Sequence, residues 1–308
     1  MFRQVGLALA VGLLSISIVS PSVADDQEYG DRADAAVYSG VRIVVSTWDG
    51  VASAGIYEIE HIGTMEFVSA GGSWLVVGEG SVTRADGGGV ALAGWSTVAL
   101  SDRYQIRSLA GDSMLGRATQ VIEVREGDLL RCTIQYDKAT GAPLSTRIFD
   151  GDGNLFRSST MVSFGRSNMR LYEELVGAGA YDVVMAATLD SNALPETAAG
   201  YAIADVYEAV GGAQQVFYTD GLFSFSVFEL DGDVALSEFQ GASEVEIGLA
   251  RYSRSATPTA VSVSWVSGGS TYVLVGDLPP DHLEAVLAEL PRPTYRNMLS
   301  RWWRRIFG

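Results

Sequence analysis

The sequence predicts a mainly β protein of the α+β class, with two β-rich units and one helix near the end. Short runs of β-branched and aromatic residues alternate with glycine and aspartate turns over most of the chain. This spacing favours a curved antiparallel sheet or an open barrel. With 308 residues, of which 47% are hydrophobic, the chain can bury at least one full core. Its length slightly favours two domains over one.

Residues 1–24 have the features of a cleaved signal peptide. Arg3 is their only charged residue, residues 5–19 are apolar, and Ser22-Val23-Ala24 fits a small-residue cleavage site before Asp25. The alternative is an uncleaved anchor, which the short apolar run and its acidic flank disfavour. We therefore expect export across the cytoplasmic membrane, into the periplasm or cell-envelope space.

The first β-rich unit is expected at residues 25–166. Its predicted strands lie in residues 38–50, 55–68, 73–84 and 119–137. In the last of these, Cys132 alternates with Ile134 and Tyr136, so it is expected to be a buried core residue and not a reactive thiol. The same alternation places Arg131 on the opposite face.

The second unit is expected at residues 196–291, after a linker region at 167–195 that ends at Leu194-Pro195. Alternating residues predict strands within 211–233 and within 260–280. A helix is expected to follow, because Leu283, Val286, Leu287 and Leu290 fall on one face and Pro280 suits a first helical turn. His282 is expected to be a solvated residue of that first turn.

Residues 292–308 predict a basic amphipathic tail. On a helix, Tyr295, Met298, Leu299, Trp302 and Ile306 share one side, and the arginines lie largely elsewhere. We expect this tail to lie on an anionic membrane surface; the alternative is a tail that packs on the acidic surface of the protein itself. The residues assigned to membrane contact are Arg296, Arg301, Trp302, Trp303, Arg304 and Arg305.

The charge of the chain excludes nucleic acid as a partner. The formal net charge is −16, and a phosphate backbone is repelled by so acidic a body. A basic protein segment fits better as a partner, and solubility alone is an equal explanation of the acidity.

No catalytic residues are expected, and the chain is not expected to be an enzyme. Its only imidazoles are His61 and His282, and no G-x-S-x-G nucleophile motif occurs. The stretch "DGDGN" at residues 150–154 resembles the start of a calcium loop, but Leu155 and Met161 stand where that loop needs glycine and glutamate. It is expected to be a hairpin turn, and no metal or cofactor is expected.

Two sets of motifs resemble the sigma-E regulatory proteins called MucB or RseB. The first set lies in residues 104–164 and consists of Leu115, Gly116, Arg117, Asp137, Thr140, Gly141, Pro143, Leu144, Asp150 and Gly153. The second set consists of Leu194, Pro195, Tyr218, Asp220, Gly221, Leu222, Ser224, Val227 and Phe228. The resemblance covers residues 36–290. It departs from the family pattern at residues 62–100, at Thr219 and in the basic tail.

The resemblance implies an N-terminal domain like the carriers LolA and LolB, an open curved antiparallel sheet or half-barrel wrapped round helices, with an apolar cavity. A smaller C-terminal domain of antiparallel sheet and helix follows. It implies a regulator that binds the outer part of a membrane-spanning anti-sigma factor, shields it from regulated proteolysis and senses lipid. The alternative is a LolA-like carrier of lipid or lipoprotein.

The resemblance also guides the choice of candidate binding residues. Most aromatic residues of the first unit are expected to be core, with a few lining the cavity. The cavity candidates are Tyr38, Trp48, Tyr57, Trp74 and Trp95. The candidates for partner binding in the second motif are Tyr218, Asp220, Gly221, Ser224 and Phe228.

Overall fold

The computed structural model describes residues 37–62, 65–70, 73–78, 81–84, 102–170, 194–208, 214–232 and 242–294. Three predicted segments therefore lie outside the described residues: the signal peptide, most of the linker and the tail from residue 295 onward. In the described part, no helix is long and apolar enough to cross a membrane.

The first sheet has ten antiparallel strands. They are β1 (Val37–Trp48), β2 (Val51–Ile62), β3 (Met65–Ala70), β4 (Ser73–Gly78), β5 (Ser81–Arg84), β6 (Tyr104–Ala110), β7 (Thr119–Glu126), β8 (Leu129–Asp137), β9 (Pro143–Phe149) and β10 (Leu155–Arg166). Their order is β5-β4-β3-β2-β1-β10-β9-β8-β7-β6, so two meanders of five strands meet where β10 pairs with β1. Strands β5 and β6 form the two edges.

Turn chemistry fixes the register of the first hairpin. Strands β1 and β2 pair continuously from Val37 opposite Ile62 to Trp48 opposite Val51. The two turn residues, Asp49 and Gly50, both have positive φ, at 50° and 76°. Such a turn matches the twist of antiparallel strands and favours the Asp-Gly pair found here.

The second sheet has eight antiparallel strands and a similar plan. They are β11 (Thr197–Ala198), β12 (Tyr201–Glu208), β13 (Gln214–Thr219), β14 (Ser224–Asp231), β15 (Ser243–Ile247), β16 (Ala250–Ala256), β17 (Val261–Ser267) and β18 (Ser270–Gly276). Their order is β11-β12-β13-β14-β18-β17-β16-β15, so two meanders of four strands meet at β14 and β18. Helix α1 (Pro280–Glu289) follows, begins with proline and buries Leu283, Val286 and Leu287.

Both hydrophobic clusters contain residues from both sheets. One joins Ile122, Ile134 and Ile148 of the first sheet to Val227 and the buried face of α1. The other joins Tyr38, Tyr57 and Met161 of the first sheet to Phe228 and Val273 of the second. The two sheets are therefore packed against each other, since each cluster is continuous across them.

The predicted fold class is confirmed: the protein is mainly antiparallel β, with one open sheet of ten strands and a smaller sheet with a helix. Cys132 is buried, as expected, and burial raises the pKa of its thiol. The stretch 150–154 is a hairpin turn in which the Asp150 carboxylate accepts the backbone N–H groups of Asp152 and Asn154. The domain boundaries stay a prediction.

Candidate functional site

A group of buried and partly buried charged side chains lies where the two sheets meet, and we call it the polar junction. From the first unit it contains Arg103, Tyr104, Glu126 and Arg131, and from the second unit Tyr201, Asp220, Asp281 and His282. Hydrogen bonds and ion pairs join its two halves directly. The junction therefore sets how the second unit is held against the first sheet.

Glu126, the last residue of β7, is the centre of the junction. Its carboxylate accepts a hydrogen bond from Arg103 Nε at 2.9 Å and one from Arg131 Nε at 2.7 Å. Burial alone would raise the pKa of Glu126, but the two guanidinium groups hold it below its ordinary value. Arg131 also donates from Nη2 to Asp281 of α1 at 2.7 Å, which links the first sheet to the helix.

The position of Arg131 corrects the sequence analysis, which placed it on the face opposite Cys132. Its side chain is only 4% exposed and lies in the junction. The reason is a β-bulge: the pairing of β7 and β8 passes from Cys132 directly to Leu130, which leaves Arg131 unpaired. A bulge interrupts strict alternation and can re-aim one side chain.

The prediction for His282 was wrong. Its ring is 4% exposed and lies in the junction, not in solvent. The Tyr201 hydroxyl lies 2.6 Å from Nδ1, and Arg103 Nη2 lies 3.3 Å from Nε2. Burial and the positive charge of Arg131 lower the pKa of His282, so the ring is held neutral near pH 7. Helical position alone did not reveal that the first turn of α1 lies against the first sheet.

The turn of the second family motif is hydrogen-bonded to the first sheet. Asp220 Oδ1 accepts the backbone N–H groups of Leu222 and Phe223, at 2.9 and 2.8 Å. Its other oxygen accepts the Tyr104 hydroxyl at 2.6 Å. Gly221 has a φ of 86°, which favours glycine at this turn.

The other partner-binding candidates of that motif are also buried. Tyr218 stacks on Phe225 with 4.8 Å between ring centroids, and its hydroxyl donates to the Pro195 carbonyl at 2.7 Å. Ser224 is 8% exposed and Phe228 is 4% exposed. These side chains stabilise the second unit internally, and their assignment to partner binding stays a prediction.

The first family motif joins two turns of the first sheet. Arg117 Nη2 donates to Asp137 Oδ2 at 2.7 Å, and the Thr140 hydroxyl donates to the same oxygen at 2.6 Å. Burial opposes ionisation of Asp137, but these donors hold its pKa below the ordinary value. Gly116 and Gly141, at φ 73° and 72°, turn the backbone on either side. These motif residues therefore have a structural role, because they hold two turns of the first sheet together.

The cavity candidates are divided between two places. Tyr38 stacks on His61 with 4.7 Å between centroids, and it shares one hydrophobic cluster with Tyr57. Trp48 belongs to the other cluster, where it packs edge-on against Phe156 at 5.0 Å. The side chain of Trp74, on β4, and the whole of Trp95 lie outside the described part of the chain. The assignment of these aromatics to a ligand cavity stays a prediction.

Sequence reasoning missed a second buried charged contact between the two units, a hydrogen bond from an arginine to a backbone carbonyl. Arg157 of β10 is 1% exposed, and its Nη1 donates to the backbone carbonyl of Asp277 at 3.3 Å. Asp277 Oδ1 accepts the backbone N–H of Ser224 at 2.9 Å. Burial raises the pKa of Asp277 to about 6 and lowers that of Arg157 to about 10, so each partner only partly offsets the desolvation of the other.

The polar junction can hold the two sheets in a defined relative position, and the surface that they form together can bind a partner molecule. Among the residues that the structure describes, no group of three or more His, Cys, Asp or Glu side chains could hold a metal ion. The polar neighbours of the buried His282 ring are tyrosine, arginine and glutamate side chains.

No protein-family model matches the sequence, and no curated protein matches it either. Solved structures do match. The MucA/MucB complex of Pseudomonas aeruginosa is 20% identical, covers 88% of this chain and 100% of that chain, and has a TM-score of 0.53. A structure of MucB in complex with MucA(peri) has the same identity and coverage and a TM-score of 0.51. A LolA superfamily protein from Nitrosomonas europaea matches at 10% identity over 83% of this chain and 95% of that chain, with a TM-score of 0.22. The first two matches confirm, at the level of the fold, the resemblance stated from the sequence motifs.

Proposed function

We propose, from the premise that this chain has the fold of MucB, that it is an extracytoplasmic regulator of a sigma-factor pathway. It binds the outer portion of a membrane-spanning anti-sigma factor and shields that portion from regulated proteolysis. The observation that carries the proposal is the coverage of the MucB structures: 100% of the chain solved with MucA has a counterpart here, and both sheets are included.

The polar junction supports a binding role. A regulator that grips an extended partner needs a surface made by two units held in a fixed relative position. Tyr104–Asp220 and Arg131–Asp281 provide such a fixed arrangement through short, partly buried charge-assisted bonds. The acidic body supports a basic partner segment, since opposite charge accelerates encounter.

A LolA-like carrier of lipid or lipoprotein is the second candidate. Its support is the open ten-stranded sheet, whose buried face carries the aromatic residues Tyr38, Trp48 and Tyr57. The second sheet favours the regulator, because simple carriers lack the unit that contains "YTDGLFSFSVF". In the proposed regulator the first sheet senses lipid, so a lipid-binding first sheet is compatible with both candidate functions.

The proposed place of action is the periplasm or cell-envelope space. The predicted signal peptide supports export, and the basic tail supports contact with the membrane in which the partner is anchored. Both segments lie outside the described residues, so their role is proposed from the sequence alone.

Capture of partners tests the proposal. The tagged chain is expressed in its own host, crosslinked in intact cells and purified from detergent-solubilised membranes, and the captured proteins are identified. We expect a single-pass membrane protein with a cytoplasmic anti-sigma domain. The control is an Asp220→Ala/Tyr104→Phe variant, in which the motif turn is detached from the first sheet and capture should weaken. Recovery of lipids or lipoproteins alone would favour the carrier.

A further inference from the structure

The guanidinium group of Arg157 has donors that no described residue of the protein accepts. Its Nε and Nη2 atoms are buried and have no hydrogen-bond partner, although the side chain is only 1% exposed. Each buried donor left without a partner costs about 1–3 kcal/mol. Within the described part of the chain, the group donates one hydrogen bond, from Nη1 to the Asp277 carbonyl at 3.3 Å.

The two unused atoms form one edge of the guanidinium plane. Nε and Nη2 point their N–H bonds in the same direction, and this edge matches the two oxygens of a carboxylate or phosphate. Other arginines of the first sheet already use such donors. Arg103 and Arg131 both give Nε to Glu126, and Arg42 holds Glu66 with two bonds at 2.9 and 3.0 Å. Arg157 differs from them because no side-chain carboxylate occupies its edge.

The backbone aims Arg157 at this position. The pairing of β10 with β9 shifts register between Leu155 and Arg157, so Phe156 and Arg157 are buried in succession. A bulge of this kind re-aims a side chain and often lies beside a functional site. Here it turns the arginine toward the second unit, where Asp277 contacts it.

A second buried donor packs on the same aromatic ring as Arg157. The indole N–H of Trp48 is buried and has no hydrogen-bond partner among the described residues. Trp48 packs on the ring of Phe156 with 5.0 Å between centroids, and the Arg157 guanidinium lies 5.0 Å from the centre of the same ring. One aromatic side chain thus separates two donor groups, and both come from the buried face of the first sheet.

We propose that the free edge of Arg157, with the Trp48 indole N–H as a neighbouring donor, is a binding site for an oxyanion, either a carboxylate or a phosphate. The ligand supplies the paired oxygens that the protein lacks at this point. Because Arg157 contacts Asp277 of the second unit, the site lies between the sheets, and its occupation is coupled to how closely they pack. The site adds an anion-binding step to the lipid sensing of the proposed function, and its biological role rests on that proposed function.

Titration calorimetry on the purified chain tests the site. The probes are inorganic phosphate and acetate as free anions, and octanoate and dihexanoyl phosphatidic acid as lipid anions. Arg157→Lys keeps the positive charge beside Asp277 but loses the two-donor edge. Arg147→Lys is the matched control, because Arg147 is exposed and lies on the neighbouring strand β9.

We expect saturable binding of at least one probe, weakened about tenfold or more by Arg157→Lys and unchanged by Arg147→Lys. Binding of the free anions identifies a soluble ligand, and binding of the lipid anions alone identifies a headgroup. The proposal is overturned if no probe binds the wild type below about 10 mM, or if Arg157→Lys binds equally well.

A measurement on the wild type covers the case in which the lysine variant does not fold. The indole N–H resonance of Trp48, assigned with Trp48→Phe, should shift when the bound probe is added; an unchanged resonance overturns the proposal. Failure of this site is distinct from failure of the proposed function. A chain that binds no probe but captures its membrane partner rejects the site alone, and the reverse result rejects the partner.

Discussion

The bond between Tyr104 and Asp220 should be a measurable link between the two sheets. Tyr104 is 7% exposed and Asp220 is 3% exposed, and the hydroxyl lies 2.6 Å from the carboxylate oxygen. Burial and the Asp220 charge raise the pKa of Tyr104 well above its ordinary value, so the phenol stays protonated and donates. Tyr104→Phe removes the donor and leaves the carboxylate in place.

The expected loss of stability follows from the fact that this hydrogen bond is made to a carboxylate. A hydrogen bond to a charged group contributes about 1.5–3 kcal/mol, and a buried carboxylate that loses a donor is penalised further. We therefore expect the free energy of unfolding to fall by about 2 kcal/mol. With a urea dependence of about 2 kcal/mol per molar, the midpoint of unfolding should fall by about 1 M.

Urea denaturation followed by tryptophan fluorescence measures this change. The matched control is Tyr272→Phe, which removes a hydroxyl that donates to Glu229 at 3.0 Å within the second sheet, where the bond is only partly buried. We expect the control to lose less than about 1 kcal/mol, because water replaces the lost donor. A shift below about 0.25 M for Tyr104→Phe, or a larger shift for the control, would refute this reasoning.

Four further changes test other parts of the molecule. His282→Asn should flatten the rise of stability as the pH increases toward about 6.5, the ordinary pKa of an imidazole, because the folded pKa of His282 lies below its unfolded value and folding therefore opposes protonation. Asp277→Asn should remove a fall of stability between about pH 4 and pH 6, because the folded pKa of Asp277 is raised to about 6 and its ionisation disfavours folding. Urea midpoints measured across pH test both changes. If stability depends on pH equally in the wild type and the two variants, these pKa shifts are contradicted. Leu283→Ala should lower the free energy of unfolding by about 2–5 kcal/mol, since Leu283 of α1 is 1% exposed and belongs to the hydrophobic cluster that joins α1 to the first sheet. A loss under about 1 kcal/mol, measured by calorimetry, would contradict that packing. The full chain should sediment with anionic liposomes while a chain that ends at Leu290 stays in solution, and equal sedimentation removes the membrane role of the tail.

Much of the fold could be predicted from the sequence because its strands alternate and its turns use glycine and aspartate. The Asp49-Gly50 turn and the proline at the start of α1 are local signals, and the structure has a hairpin and a helix there. Ile134 and Tyr136 are buried where alternation placed them. Such features depend on residues near each other in the chain.

The polar junction and the buried Arg157 could not be predicted in the same way. Arg131 and Arg157 lie at bulges, which break the alternation from which the face of a strand is inferred. His282 is buried because the first turn of α1 lies against β7 and β8, a contact between residues about 150 positions apart in sequence. The signal that could have drawn attention to them is the set of arginines within otherwise apolar strands, since buried charges need partners.

Protection from proteolysis tests the central claim most directly. The extracytoplasmic segment of the captured membrane protein is incubated with the protease that cleaves it in the cell, with and without a saturating amount of this chain, and the cleavage rate is followed. The account predicts that the chain slows cleavage about tenfold or more at saturation, and that the Asp220→Ala/Tyr104→Phe variant protects less. A cleavage rate that is unchanged by the bound wild-type chain would contradict the proposed function.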